Sequence, residues 1–295
     1  MTQLSSTIAD YLTDCRARGL SLKTVQANYG WALLQVFQPW CDRQGITSLS
    51  EIDNRAVMRW QADLLNEPGR RGRPISRYSI QGWVKAVNSF LKWAKSEGEM
   101  DHEAKGRAPR PPKVLLEVLS RDQIEQLEHA AQTERDKLII RILADTGIRA
   151  SELIGLRVSD LIERDRQYFL RVRGKGNKER LVPVPRLGLR ITRFIRGRDG
   201  RMFVTLRRLR GERAPLTVSG LQQVVRGWAR EIGMTQRVHP HLFRHSYATY
   251  ALQKGMNPIQ LADILGHTSL VMIQRNYAHL SSRDAYDAAA RLLAD

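Results

Sequence analysis

Apolar residues recur at helical spacing through most of the first hundred positions, and residues 5–100 read as a set of helices. The stretch SLKTVQANYGWALLQVFQPWCDRQG opens on Ser21, a residue suited to cap a helix start, and carries Val25, Tyr29, Leu33 and Val36 three or four apart. RAVMRWQADLLNE and SRYSIQGWVKAVNSFLKWAKSEG repeat the style. In the second of these, Ile80, Trp83, Val84, Val87, Phe90, Leu91 and Trp93 make a wide apolar face. Trp31, Trp40, Trp60, Trp83 and Trp93, five of the chain's six tryptophans, fall in this region and are expected to pack a core rather than stack on bases.

Two interruptions break the pattern. NEPGRRGRPIS sets Arg70, Arg71 and Arg73 among Pro and Gly, a basic loop that either contacts phosphates or is simply solvated. At DHEAKGRAPRPPK three prolines arrive and periodicity stops, which marks a linker. The expected organisation is an N-terminal helical domain over 1–103, a linker over 104–116 and a second domain over 117–295.

The second domain opens at Ser120 with Gln123 three residues on, a capping-box arrangement. RDKLIIRILADTG and ASELIGL read as helices. The period then changes: YFLRVRGKGNKERLVPVP predicts two strands joined by a Gly174-Lys175-Gly176-Asn177 turn. From about 186 onward helices are expected to dominate, so the fold class is mainly α with a small antiparallel sheet in the C-terminal domain.

Composition narrows the function classes. A length of 295 residues suffices for two cores, and a 42% hydrophobic fraction is ordinary for a globular chain. No apolar run is long enough to span a bilayer, and MTQLSSTIADYL lacks the features of a secretory signal. Cys15 and Cys41 are the only cysteines, which argues against a disulfide scaffold and points to a cytoplasmic setting. Charge adds most. There are 48 Lys and Arg against 30 Asp and Glu, a net charge of +18, and residues 163–213 alone hold 17 basic against 5 acidic side chains. Such a surplus calls for a polyanionic partner, with nucleic acid ahead of a membrane surface.

Several basic and nucleophilic residues stand in short motifs. Attack on a phosphodiester by a side chain requires neutralised phosphate oxygens, an activated nucleophile, a proton for the leaving oxygen and in-line positioning. No dense carboxylate cluster accompanies the His and Arg motifs, so arginines are the better phosphate ligands. Arg149 follows the Thr146-Gly147 turn in ADTGIRASEL, with Glu152 three residues on; the two are either a surface ion pair or part of a site. HPHLFRHSYATY places His241 and Arg244 on one helical face. The spacing of His239, His241 and His245 also suits zinc, but no cysteine lies near them and no HExxH is present. Lys175 stands at the tip of the predicted hairpin, where it either reaches a leaving oxygen or is solvated, and Lys178 competes for the role.

TGIRASELIGLRVSDL, RVRGKGNKERLVPV, HPHLFRHSYATYALQKG and LGHTSLVMIQRNYAHL occur in the order and approximate spacing of the tyrosine recombinases, the family of phage integrases and Xer-type resolvases. The chain resembles that family, in its two-domain Xer-like form, from about 115 to 290. More loosely, the N-terminal helices look like its SAM-like core-binding domain.

The resemblance implies a site-specific recombinase that clamps double-stranded DNA between two domains, with a mixed α+β catalytic domain and no metal, ATP or other cofactor. Arg149 and Arg244 would hold the scissile phosphate, with Glu152 supporting Arg149. Lys175 would protonate the 5′-oxygen, His241 would assist proton transfer at the nucleophile, and His267 would hydrogen-bond the phosphate. Tyr277 would attack to give a 3′-phosphotyrosine. Arg70, Arg71, Arg73, Lys178 and Arg180 are the expected DNA contacts. The resemblance further implies a dimer on each site and a tetramer in the synapse, with no membrane partner and a nucleoid-associated location.

One spacing departs from the commonest pattern: Tyr277 stands ten residues after His267 rather than nine, with Asn276 before it. Among the other phenols, Tyr247 and Tyr250 are expected in a core, and Tyr286 in a terminal Ala/Leu helix that either docks on a neighbouring protomer or caps its own domain. With the first helix beginning almost at residue 5, no additional arm-binding domain is expected. A type IB topoisomerase-like enzyme and a catalytically silent DNA-binding protein are the alternatives.

Overall fold

A computed structural model of the chain describes residues 3–69, 72–110, 117–174, 178–209 and 212–266. It divides into two compact units, Met1–Val114 and Leu115–Asp295.

The first unit is helical. It comprises α1 (Gln3–Ala17), α2 (Leu22–Thr24), α3 (Gln38–Arg43), α4 (Asn54–Asn66) and α5 (Arg77–Ser96). Helix starts follow the side chains that cap them: Ser21 accepts from Thr24 N, Asp53 from Ala56 N and Ser76 from Ser79 N. Between α2 and α3 the backbone widens into two π-helical stretches, Val25–Gly30 and Leu33–Phe37. Along this stretch Val25, Gly30, Ala32, Leu33, Phe37, Trp40 and Cys41 are buried.

The tryptophans divide. Trp40 and Trp60 are buried around Phe37, and the Trp40 indole N–H donates to Asp63 Oδ2 at 2.7 Å. Trp83 and Trp93 are half-buried against the same core, whereas Trp31 is 37% exposed and does not meet the core-packing expectation. The basic loop folds back on itself, Gly69 N donating to Arg73 O at 2.8 Å beside a Pro68–Pro74 bridge.

The segment expected to begin the linker is tied down. Asn88 Nδ2 donates to Gly106 O and Asn88 Oδ1 accepts from Gly106 N, at 2.9 and 2.8 Å. Gln61 treats Arg107 in the same way, at 2.7 and 3.1 Å. Lys105 N donates to Asn54 Oδ1, and Gln81 donates to Pro109 O. Two side-chain amides thus pair with backbone amides as a neighbouring strand would, and residues 105–109 lie as a strap on α4 and α5. Gly106 is required at its centre, since a Cβ there would sit 2.7 Å from Gln61 Oε1 and 2.9 Å from Val57.

The second unit opens with α6 (Arg121–Ala130), which starts on the expected capping box: Ser120 accepts from Gln123 N, and Gln123 Oε1 accepts from Ser120 N. It continues through α7 (Glu134–Thr146) and α8 (Ala150–Gly155) to a sheet of β1 (Leu161–Arg164), β2 (Gln167–Arg173) and β3 (Glu179–Pro183). Then come α9 (Gly188–Ile195), the pair β4 (Val204–Leu209) and β5 (Glu212–Pro215), α10 (Val218–Glu231), α11 (Pro240–Gln253) and α12 (Pro258–Leu265). Helix α7 is its centre, with Leu138, Ile139, Ile140, Ile142, Leu143 and Ala144 all buried, as befits a helix covered on every side.

Both sheets are antiparallel, with order β1-β2-β3 and β4-β5. Strands β2 and β3 are the pair the alternation predicts. Strand β1 was not expected; its turn to β2 is Asp165-Arg166, both at positive φ, a conformation usually signalled by Asn-Gly. Nor was the β4–β5 pair expected in a region read as helical. Of the two phenols expected in the core, Tyr247 is half-buried, but Tyr250 lies at the surface under the Arg121 guanidinium, 3.8 Å from its ring centre. Arg121 and Lys254 both reach that ring, so a cation–π setting replaces apolar packing there. Among the described residues no helix is long and apolar enough to cross a membrane.

Candidate active site

Helix α7 stops at Gly147, which takes a left-handed conformation (φ 61°) and donates its N–H to Leu143 O. A Cβ on Gly147 would come within 2.8 Å of both Leu265 and Tyr247, so glycine is needed for space as well as for φ. Ile148 is then buried, and Arg149 follows as the residue that starts α8. Glu152, one turn into α8, reaches back: its Oε2 accepts from Arg149 N at 2.8 Å and its Oε1 from Arg149 Nη1 at 2.9 Å. The Arg149–Glu152 pair is therefore not a surface one. The Glu152 side chain is only 3% exposed.

A second arginine completes the coordination of Glu152. Arg180 on β3 donates from Nη1 to Oε1 at 3.0 Å and from Nη2 to Oε2 at 2.8 Å, a bidentate pair, while its Nε donates to Ile264 O at 2.7 Å. Burial opposes ionisation of Glu152, but the bonds from Arg180 and Arg149 outweigh it and hold the carboxyl below its ordinary value.

Arg244 arrives from α11. His239 caps that helix, its Nδ1 accepting from Leu242 N, and Pro240 occupies the first turn. The Arg244 side chain is buried and donates from Nη1 to Gly147 O and from Nη2 to Leu265 O, both at 2.8 Å. Arg149 also points to the end of α12, its Nη1 lying 3.5 Å from Leu265 O and its Nη2 3.3 Å from Gly266 O. The last carbonyls of a helix have no partner within it and carry the negative end of its dipole. Here those of Ile264, Leu265 and Gly266 are taken by three guanidiniums. Among the described residues the cluster holds three arginines and one carboxylate, two positive charges in excess.

His241 stands one turn before Arg244 on the same helix. Although it is an exposed residue, its ring is partly desolvated; that effect first, then the Arg244 and Arg149 charges, push its imidazole below the usual value. His245 is shifted the same way by burial and by His241, Arg244 and His239, and His239 by burial and its basic neighbours. Neutral imidazoles are the consequence near neutral pH. The described residues contain no group of three or more His, Cys, Asp or Glu side chains placed to hold a metal ion.

Arg149, Glu152, Arg244 and His241 are thus brought together, from α8 and α11. Arg180, expected among the DNA contacts, faces inward with every nitrogen of its guanidinium bonded. Lys178 is exposed at the base of the β2–β3 turn, where its carbonyl accepts from Gly174 N at 2.8 Å. Arg73 is exposed on the first unit's basic loop. Lys175, His267 and Tyr277 lie outside the described residues, as do Arg70, Arg71, Tyr286 and the expected terminal helix. Sequence reasoning missed the carbonyls at 264–266 and the inward role of Arg180. No local signal marks either, because the partners stand 28 and 84 residues from Arg180 along the chain.

Residues 117–283 match the model of the phage integrase family. The tyrosine recombinase XerD of Listeria monocytogenes serotype 4b (strain F2365) is 28% identical over 288 residues, covering 91% of this chain and 93% of that protein. XerC of Shewanella sp. (strain ANA-3) is 32% identical over 247 residues, covering 78% and 79%. Among solved structures, XerH recombinase bound to a palindromic difH substrate superposes with a TM-score of 0.71 at 20% identity, over 97% of this chain and 84% of that one. A lambda integrase tetramer bound to a Holliday junction gives 0.68 at 18% identity, over 91% and 75%. The order of motifs, the family match over most of the second unit and the full-length similarity to Xer proteins agree: the chain belongs to the phage integrase family and is a tyrosine recombinase.

Proposed function

We propose that the chain cleaves and rejoins duplex DNA at a specific site through a covalent 3′-phosphotyrosine. The observation that carries the reading is the cluster of Arg149 and Arg244 on the end of α12, an excess of fixed positive charge suited to a phosphate. In this reading Arg149 and Arg244 bind the nonbridging oxygens of the scissile phosphate. The Tyr277 oxygen forms the new P–O bond, the P–O5′ bond breaks, and the phenolic proton passes toward His241, whose neutral imidazole can accept it. Lys175 supplies the proton taken up by the departing 5′-oxygen, and His267 adds a hydrogen bond to the phosphate.

The phosphotyrosine conserves the energy of the broken ester, so a 5′-hydroxyl from a partner strand reverses the step and completes exchange without a nucleotide cofactor. Lambda integrase is seen as a dimer on a core site and as a tetramer on a Holliday junction. The same two assemblies are proposed for this chain, with Arg73 and Lys178 among its DNA contacts.

The test uses a duplex selected from a random-sequence pool by binding to the chain, then nicked so that cleavage releases a short fragment and cannot reverse. The expected product is a protein–DNA adduct linked through a 3′-phosphate. Tyr277→Phe is expected to bind the duplex and form no adduct; an adduct with that variant overturns the assignment.

A further inference from the structure

We infer that Arg180 is a positioning residue of the active site, fixing Arg149 and the end of α12 relative to each other through the Glu152 carboxylate and the Ile264 carbonyl. This rests on the reading that Arg149 grips the scissile phosphate.

The Glu152 carboxylate accepts four hydrogen bonds, two from Arg149 and two from Arg180, which fills the lone-pair sites of both oxygens. A carboxylate held on all sides cannot swing, and the Arg149 guanidinium bonded to it is held with it. Removing Arg180 takes away half of these bonds at a side chain that is almost wholly buried. Glu152 and Arg149 are then free to re-pair in other geometries.

The second connection runs to α12. The Arg180 guanidinium lies flat against Gly266: a Cβ on that glycine would sit 2.8 Å from Nη1, 2.9 Å from Cζ and 3.1 Å from Nε. Together with the bond to Ile264 O, this packs the arginine onto the turn that ends α12, one residue before His267 in the chain. Arg180 therefore joins three elements, β3, α8 and the end of α12. It does so with the three directions of one planar fork, which the single ammonium of a lysine cannot reproduce. Three of its five N–H groups are committed in this way.

The experiment measures full-length variants on the selected nicked duplex. Read-outs are the single-turnover rate of adduct formation at saturating protein, the Kd at several salt concentrations, and thermal unfolding. Arg180→Gln is expected to slow adduct formation by about tenfold or more, since a small misplacement of a reacting group suffices for that. Its Kd and the salt dependence of binding should stay those of the parent. Arg180→Lys should not restore the rate, and Arg180→Gln combined with Glu152→Gln should be no slower than the slower single variant. Val182→Ala, which removes a buried β3 side chain outside the cluster, should keep its rate below its unfolding temperature.

A weakened Kd with a salt slope lower by about one marks Arg180 as a phosphate contact and overturns the inference. So does an unchanged rate, or an equal loss in Val182→Ala, which would trace the defect to the strand. A parent chain that forms no adduct at all refutes the proposed function itself, an outcome seen before any Arg180 variant is compared.

Discussion

Arg149 and Arg244 both point their guanidiniums at one backbone oxygen, that of Leu265, at 3.5 and 2.8 Å. The first arginine comes from the start of α8 and the second from the second turn of α11, so the end of α12 is the common object on which they are aligned. A helix C-terminus suits this purpose, since its unpaired carbonyls draw guanidiniums together that would otherwise repel. Alignment on carbonyls rather than on carboxylates also leaves the positive charge largely uncompensated.

Among the described residues, Glu152 is the one carboxylate in that cluster. Glu152→Ala leaves two guanidiniums without their counter-ion and is expected to destabilise the chain by about 3–5 kcal/mol, read from denaturant unfolding. Because the folded-state value of its carboxyl is depressed, its contribution is complete above the ordinary glutamate value and is lost as pH falls through the folded one. The parent should therefore lose more stability than Glu152→Ala on acidification below about pH 4.3.

The histidines of α11 act in a higher pH window. Those at 239, 241 and 245 are all depressed, so the unfolded chain takes up protons before the folded one does. Their stabilising effect is complete above about pH 6.5 and disappears as pH falls through the folded values. Thermal unfolding from pH 8 to 5 should show this fall, and His245→Gln should make it shallower. An identical slope in that variant would remove His245 from the account.

Two glycines are expected to respond oppositely to alanine. Gly147→Ala places a Cβ on left-handed backbone and into Leu265 and Tyr247, and should cost about 1–3 kcal/mol while lowering adduct formation through Arg149. Gly227 lies inside α10 with nothing within 4 Å of the added atom. Gly227→Ala should raise stability by about 0.5–1 kcal/mol, with the rate unchanged.

The strap over α4 and α5 predicts a proteolysis pattern. Trypsin should cut slowly after Lys105 and Arg107, because the backbones of Lys105, Gly106 and Arg107 are bonded to Asn54, Asn88 and Gln61 in turn. Asn88→Ala removes two of these bonds, worth about 0.5–1.5 kcal/mol each, and should speed both cuts by roughly tenfold. Fragment masses over a time course decide the matter. Equal cutting in parent and variant would mean that the strap is not held by this amide.

Much of the architecture was legible along the chain because its signals are local. Ser21 and Ser120 cap the helices they precede, and alternation in YFLRVR and ERLVPV marks β2 and β3. Strand β1 escaped because Asp165-Arg166 is an unusual pair for a turn at positive φ, and the strap because amide side chains on α4 and α5, not its own sequence, hold it. Trp31 and Tyr250 carry rings of the kind that fill cores, yet remain 37% and 36% exposed.

The sequence by itself determined the family, the mainly helical class with a small antiparallel sheet, and the pairing of Arg149 with Glu152, because motif spacing and a three-residue helical step are properties of a single segment. Only the tertiary structure decided that Arg180 turns inward to the same carboxylate and that the end of α12 anchors three arginines. Those relationships join residues far apart in the chain, and burial of one carboxylate among several guanidiniums selects partners by geometry, not by sequence distance.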